Sequence, residues 1–148
     1  MAKLTLTQAN TLIDTALAEG RKRNLAPLAV AVLDAGGHLI AFQREDKAGF
    51  FRNDIAFGKA WGALGMGFGT RELAERATKF PTFITMLATA SQGRMIPSPG
   101  GVLIADAEQD ILGAVGISGD SGDNDELCAI AGIEAIGLIA ITGVLEKE

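Results

Sequence analysis

The motif "GDSG" at residues 119–122 is the first stretch that could carry chemistry, because it resembles the nucleophile motif of serine proteases. The chain order of His38, then acidic residues, then Ser121 also matches one known order of a catalytic triad. However, the chain is too short for two β-barrels, and no pattern places His38 near Ser121. We interpret the stretch as a strand-to-helix turn, in which acids stabilise the start of a helix. Asp123 or Asn124 would cap that helix.

Two further patterns resemble ligand-binding loops but do not match them. In "DSGDNDE" (residues 120–126), Gly122 falls on loop position three of an EF-hand when Asp120 leads, and Leu127 falls on position five when Asp123 leads. "GMGFG" (residues 65–69) follows a helical pattern instead of a strand, and no Lys-Ser/Thr pair comes after it. The sequence therefore favours neither a nucleotide loop nor an EF-hand, and leaves only opportunistic metal binding at the acids.

The only histidine and the only cysteine are the remaining candidates for metal ligation. His38 follows two glycines, so it is either a solvated turn residue or an iron ligand or acid/base group. Cys128 begins an apolar segment, where a small core residue is the simpler interpretation. A single cysteine also excludes an internal disulfide framework.

Aromatic and basic residues alternate in the middle of the chain. The aromatics either pack in the core or form the wall of an apolar pocket; they are Phe50, Phe51, Phe57, Phe80 and Phe83. The cations are either solvated or hold carboxylates by charge-assisted bonds; they are Arg44, Arg52, Lys59 and Arg94. Arg52 and Lys59 are seven residues apart, so they share one helix face. In the "PSPGG" loop, Gly100 and Gly101 would allow a ligand to approach the backbone closely.

Composition limits the class of protein. At 148 residues the chain is most simply one domain, residues 1–148, and its net charge of −5 gives no electrostatic reason to bind nucleic acid or an anionic membrane. The start, "MAKLTLTQAN", lacks the apolar core of a signal peptide, so we expect a cytoplasmic protein.

Hydrophobic periodicity and turn signals predict the order α-β-β-α-α-α-β-β-α. "TLTQ" (residues 5–8) matches a capping box before the first helix. Turn residues between short apolar runs predict two hairpins, at residues 28–42 and 100–119. Because the strands come in hairpins, we predict an α+β fold with an antiparallel sheet and helices packed on it.

Residues 127–145 are almost entirely apolar and are predicted to extend the last helix. Glu134 and the flanking acids argue against a membrane span. A helix that is apolar on all sides belongs in a core or a subunit interface. We therefore expect a homo-oligomer.

Three blocks together resemble the GlcG/HbpS family of haem-binding domains, and the similar C-terminal domain of PduO-type corrinoid adenosyltransferases. They are "LAVAVLDAGGHLIAFQRED", "FRNDIAFGKAWGAL" and "PGGVLIADAEQDILGAVGISGDSGDNDELCAIAGIEA". The resemblance implies a profilin-like or PAS-like sheet, assembly into oligomers, and haem or a related tetrapyrrole as ligand. If His38 does not reach the pocket, the axial ligand must come from Thr, Met, Lys or water, with Lys59, Met66 and Met86 as candidates.

The leading hypothesis is therefore a ligand-binding domain for haem or another small planar carboxylate. The expected ligand-binding residues are Phe51, Arg52, Lys59, Phe83, Arg94, Gly100 and Gly101. The alternative is a lyase, hydratase or isomerase, or an accessory protein, of a catabolic pathway acting on a small carboxylate. In the enzyme, Arg52 and Lys59 would anchor the substrate and His38 or Asp54 would move a proton. A third hypothesis is a purely structural oligomerisation module.

Overall fold

Five antiparallel strands form a single sheet with helices on both faces in the computed structural model, which describes residues 3–144. The elements are α1 (Leu6–Lys22), β1 (Ala29–Asp34), β2 (Leu39–Arg44), α2 (Phe51–Met66), α3 (Thr70–Lys79), α4 (Pro81–Ala90), β3 (Gly101–Ala105), β4 (Ile111–Ser118), α5 (Gly122–Ala135) and β5 (Ile139–Ile141). The nine predicted elements occur in the predicted order, and β5 follows them. The predicted α+β class with an antiparallel sheet is confirmed.

The sheet has the strand order β2-β1-β4-β3-β5. β1 and β4 run side by side over their length, with Ala29 opposite Ser118 and Asp34 opposite Gly113. The three inner strands are buried on both faces, whereas the edge strand β2 is half-exposed. The register places the two hairpin turns at one end of the sheet and the β4–α5 turn at the other.

One face of the sheet is covered by α1 and α5. Leu12 and Ile13 of α1 and Ile133 of α5 pack against the valines and isoleucines of β1, β3 and β4. The predicted capping box begins α1: the Thr5 hydroxyl accepts a hydrogen bond from the Gln8 amide at 3.1 Å, and the Gln8 side chain accepts one from the Thr5 amide at 3.0 Å.

The other face is covered by α2, which lies unusually close to the strands. A Cβ at Gly116 of β4 would collide with the backbone oxygen of Ala56, so only glycine allows this approach. The contact layer is made of small residues, Ala56, Ala60 and Ala63 among them. Gly116 of β4 and the alanines of α2 therefore permit close helix–sheet packing.

α3 and α4 lie beyond α2 and form a separate small cluster around Phe68, Leu73 and Ile84. Arg71 of α3 donates from Nε to both carboxylate oxygens of Glu126 on α5, each at 3.0 Å. Arg71 Nη2 also lies 3.0 Å from Glu126 Oε1, and this ion pair fixes α3 beside the start of α5.

The prediction of one apolar helix through residues 127–145 is wrong. α5 ends at Ala135, Gly137 adopts a positive φ of 73°, and β5 then pairs with β3, Leu103 opposite Ile141. The physical reason is that the open edge of β3 carries unpaired backbone N–H and C=O groups. An apolar segment can satisfy its own backbone hydrogen bonds by pairing with this edge as well as by continuing a helix. Leu145 lies outside the described residues. No helix within residues 3–144 has the length and apolar character needed to cross a membrane.

Candidate functional site

The "GDSG" stretch forms the turn between β4 and α5. Ser121 is the N-cap of α5, and its hydroxyl accepts a hydrogen bond from the Asn124 amide at 3.2 Å. The cap is thus Ser121 and not the predicted Asp123 or Asn124, because the serine hydroxyl reaches the amide three residues ahead. The structural interpretation of the motif agrees with this geometry.

His38 lies at the opposite end of the sheet. It follows Asp34, which is opposite Gly113, whereas the β4–α5 turn follows Ser118. Five residues of strand separate the two ends, or about 17 Å. The imidazole is 82% exposed, and its Nδ1 lies 3.2 Å from Asp34 Oδ1. The structure therefore does not assemble His38 and Ser121 into a triad.

A buried ion pair joins α2 to α5 at the β4–α5 end. Lys59 Nζ donates to the Ile117 carbonyl at 2.8 Å and lies 3.1 Å from Asp125 Oδ2. The other Asp125 oxygen accepts from the Asp120 amide at 3.0 Å. Burial lowers the pKa of Lys59 and raises that of Asp125, and in each case the partner's opposite charge acts against the effect of burial.

Gly100 and Gly101 lie against this pair. A Cβ at Gly100 would come within 2.8 Å of Lys59 Nζ, and one at Gly101 would collide with the Lys59 backbone. Gly101 is also held by Thr70, whose hydroxyl accepts from its amide at 2.8 Å. The space beside the two glycines is thus occupied by Lys59 and Thr70, and Lys59 itself is only 3% exposed.

Arg52 lies at the same end of the sheet as Lys59. Arg52 Nη1 donates to the Ser118 hydroxyl at 3.2 Å. Ser118 directly follows Ile117, whose carbonyl accepts a hydrogen bond from Lys59. The two predicted anion-binding cations therefore both bind the C-terminal end of β4.

A cavity of about 350 Å³ lies between the N-terminal half of α2 and residues 92–96. Its apolar walls are formed by Phe51, Ile55, Phe57 and Ile96. Its polar lining consists of Asp54, Gln92 and Arg94. Three predicted site residues, Phe51, Asp54 and Arg94, are thus brought together here. The volume falls in the range of small-molecule sites, roughly 300–1,000 Å³.

Glycine shapes this cavity. Gly58 lies on α2 where a Cβ would collide with the Arg94 carbonyl oxygen, and Gly62, one turn later, faces Met95 at ordinary contact distance. The chain after α4 can therefore lie directly on α2. The i, i+4 spacing of these glycines was the one sequence signal that could have indicated this approach.

Most of the aromatic cluster is exposed. Phe51 is 66% exposed and Phe83 is 59% exposed, with Phe50 and Phe80 similarly open, whereas Phe57 is partly buried against the core beneath α2. Phe83 stands on α4 with the exposed Met86 and does not line the cavity. Core packing therefore accounts for only one of the five phenylalanines.

A larger cavity of about 430 Å³ lies at the hairpin-turn end of the sheet. Leu4, Ile40 and Leu112 form its apolar wall, and His38 is at its rim. Three carboxylates also line it; they are Asp34, Asp106 and Asp110. His38 and Asp54 therefore belong to different cavities. Across residues 3–144, no three His, Cys, Asp or Glu side chains are grouped so as to hold a metal ion.

Similarity to known proteins covers nearly the whole chain. The family model "Haem degrading protein HbpS-like" matches residues 4–134. A 15.0 kDa protein from the dhaT-dhaS intergenic region of Citrobacter freundii is 30% identical over 129 residues, which is 87% of this chain and 89% of that protein.

Solved structures show the same fold. PduOC in its haem complex is 25% identical with a TM-score of 0.84, covering 93% of this chain and 98% of the other. Protein ORFY of Klebsiella pneumoniae is 28% identical with a TM-score of 0.83, covering 93% of each chain. HbpS is 28% identical with a TM-score of 0.76, covering 90% of each. The resemblance drawn from the sequence is thereby confirmed, and the chain belongs to the HbpS-like family.

Proposed function

We propose that this protein binds haem or a related tetrapyrrole in the cavity between α2 and residues 92–96. The observation that carries the proposal is the composition of this cavity: aromatic walls with an arginine at the edge, which suits a planar apolar ring bearing carboxylates. Support comes from the overlay of the fold with PduOC, whose structure was solved as a haem complex.

The lining fits the ring and its carboxylates better than it fits iron. Phe51 and Phe57 would contact the ring, and Arg94 would hold a carboxylate. Of the lining side chains, those of Asp54 and Gln92 could ligate iron, each through an oxygen atom. The other ligand candidates lie elsewhere: His38 lines the larger cavity, and Lys59 is already bound to Asp125. We therefore propose weak or non-histidine ligation.

Charge favours this cavity over the larger one. Three carboxylates and one lysine, Lys3, line the cavity at the hairpin-turn end, and this excess of negative charge would repel the carboxylates of a tetrapyrrole. The cavity beside α2 has one carboxylate, Asp54, and one arginine. The alternative of a lyase, hydratase or isomerase needs Arg52 and Lys59 as substrate anchors, but Lys59 is paired with Asp125 and Arg52 donates to Ser118.

We also propose that the protein assembles with copies of itself. Large apolar side chains are exposed at several places on the described surface; they include Phe80, Phe83 and Met86 around α4, Leu127 on α5 and Ile139 on β5. Burying such side chains in an interface would be favourable. Light scattering at micromolar concentration should give a mass above that of one chain, and a monomer would contradict the proposal.

Titration with hemin tests the main proposal. We expect a Soret shift that saturates, and quenching of the fluorescence of Trp61, the only tryptophan, whose ring lies 4.1 Å from the Arg94 guanidinium. Asp54→Asn should strengthen hemin binding by a few-fold, because it removes the like charge from the cavity. Absence of both a Soret shift and thermal stabilisation by hemin would refute haem binding.

A further inference from the structure

Arg94 is held in place from three directions. Its guanidinium lies over the Trp61 ring, 4.1 Å from the centroid. Its Nε donates to the Ser91 carbonyl at 3.0 Å, and its own carbonyl lies directly on Gly58. Ser91 is in turn buried at the end of α4, where its hydroxyl donates to the Ala88 carbonyl at 3.1 Å. A long side chain that normally samples many rotamers is thus restricted to one position.

The two terminal nitrogens of this guanidinium, Nη1 and Nη2, are available to bind a ligand. Within residues 3–144, neither terminal nitrogen of Arg94 makes a hydrogen bond, and no carboxylate lies within 4.0 Å. Two parallel N–H groups in a fixed plane match the two oxygens of a carboxylate. Stacking on Trp61 fixes that plane without using these donors.

Other cations of this region are already engaged. Lys59 is buried with Asp125, and Arg52 donates to Ser118 at the end of β4. Arg76 offers the most instructive contrast, since it also stacks on an aromatic ring, that of Phe68 at 4.4 Å. Its Nε, however, is paired with Glu72 at 3.3 Å, and Arg76 is not among the residues of the cavity.

We infer that Arg94 is the group that binds a carboxylate of the ligand, and that Trp61 is a positioning residue that orients Arg94 for this contact. The inference rests on the proposed function, and it assigns to the tetrapyrrole site a requirement for an unesterified carboxylate. Trp61 does not line the cavity, so its part in binding is exerted through Arg94.

Comparing hemin with hemin dimethyl ester tests this inference, because the ester keeps the ring and iron but removes both carboxylate charges. We expect the parent protein to prefer hemin by roughly ten-fold, about 1.4 kcal/mol, since Arg94 is exposed and its ion pair is partly screened. Arg94→Ala should reduce this preference to near unity. Arg76→Ala, the matched stacked arginine outside the cavity, should leave it unchanged.

Variants of Trp61 separate positioning from general stability. Trp61→Phe keeps an aromatic face and should retain most of the preference for hemin, whereas Trp61→Leu should lose it while keeping its affinity for the ester. A variant that had merely lost its fold would bind neither compound, and far-ultraviolet circular dichroism identifies such a case.

The outcomes distinguish the two claims. If the parent protein binds neither hemin nor its ester, the proposed function fails and this inference fails with it. If it binds both equally, or if Arg94→Ala keeps the full preference, tetrapyrrole binding stands and the role of Arg94 is refuted. If Trp61→Leu keeps the preference, the positioning role of Trp61 is refuted.

Discussion

Replacing Lys59 by methionine should destabilise the protein strongly, although the two side chains are similar in length. The carboxylate of Asp125 is almost fully buried and would lose its counter-ion, retaining the hydrogen bond from the Asp120 amide. Removing one partner of a buried pair costs about 3–5 kcal/mol. The free energy of unfolding of a domain is typically about 5–15 kcal/mol, so the variant should fold with a much lower urea midpoint.

Acid should partly rescue the Lys59→Met variant. Without the Lys59 charge, the pKa of Asp125 rises further above its unfolded value, because Lys59 no longer opposes the effect of burial. A raised pKa in the folded state stabilises the protein at low pH, and this contribution is lost as the pH rises through that pKa. The loss of unfolding free energy caused by Lys59→Met should therefore be smaller at about pH 5 than at about pH 8.

Urea titrations followed by circular dichroism at both pH values measure these effects. Adding Asp125→Asn to Lys59→Met should recover stability, because the amide keeps an acceptor for the Asp120 amide and carries no charge. Together with the effect of Asp125→Asn alone, this recovery gives the coupling between the two side chains, expected at roughly 1–3 kcal/mol. A loss below about 1 kcal/mol that does not vary with pH would show that the pair is not held as a desolvated ion pair.

Three further outcomes follow from positions outside this pair. Ser121→Ala should lower the unfolding free energy by about 1 kcal/mol through loss of the α5 cap and leave hemin affinity within a few-fold, so a thousand-fold loss of any activity would contradict its structural role. His38→Ala should leave the Soret spectrum of the hemin complex unchanged, and loss of a six-coordinate spectrum would identify His38 as the axial ligand. Burial raises the pKa of the Cys128 thiol to about 11, so iodoacetamide at about pH 8 should label it only after unfolding, and rapid labelling of the native protein would contradict this.

Much of the fold could be predicted from local signals. The capping box at Thr5 and the turn residues after Asp34 each act over a few residues, so their sequence patterns indicate the structure directly. The prediction for residues 127–145 was wrong because local patterns do not show the competition between continuing a helix and forming a strand. Whether an apolar segment continues a helix or joins a sheet depends on the open edge of β3, and that edge is formed by distant parts of the chain.

The candidate site was only partly predictable for a similar reason. Residue types identified Phe51 and Arg94 as possible ligand contacts, and both line one cavity. The stacking of Arg94 on Trp61 joins residues 33 positions apart and has no short-range signature. Likewise, Gly100 and Gly101 suggested a ligand approach, whereas the group that lies against them is Lys59 of the chain itself.

Because α4 makes few buried contacts with the rest of the protein, we expect it to unfold locally. This helix buries a single side chain, Ile84, and packs mainly on α3, whereas β1 and β4 are buried on both faces. Its amides should therefore exchange with deuterated solvent through a sub-global opening that leaves the sheet intact. Because residues 92–96 continue directly from α4 and line the cavity, a ligand that bridges them to α2 binds only the closed form. Ligand binding in the cavity would then slow amide exchange along α4, at a distance from the ligand itself.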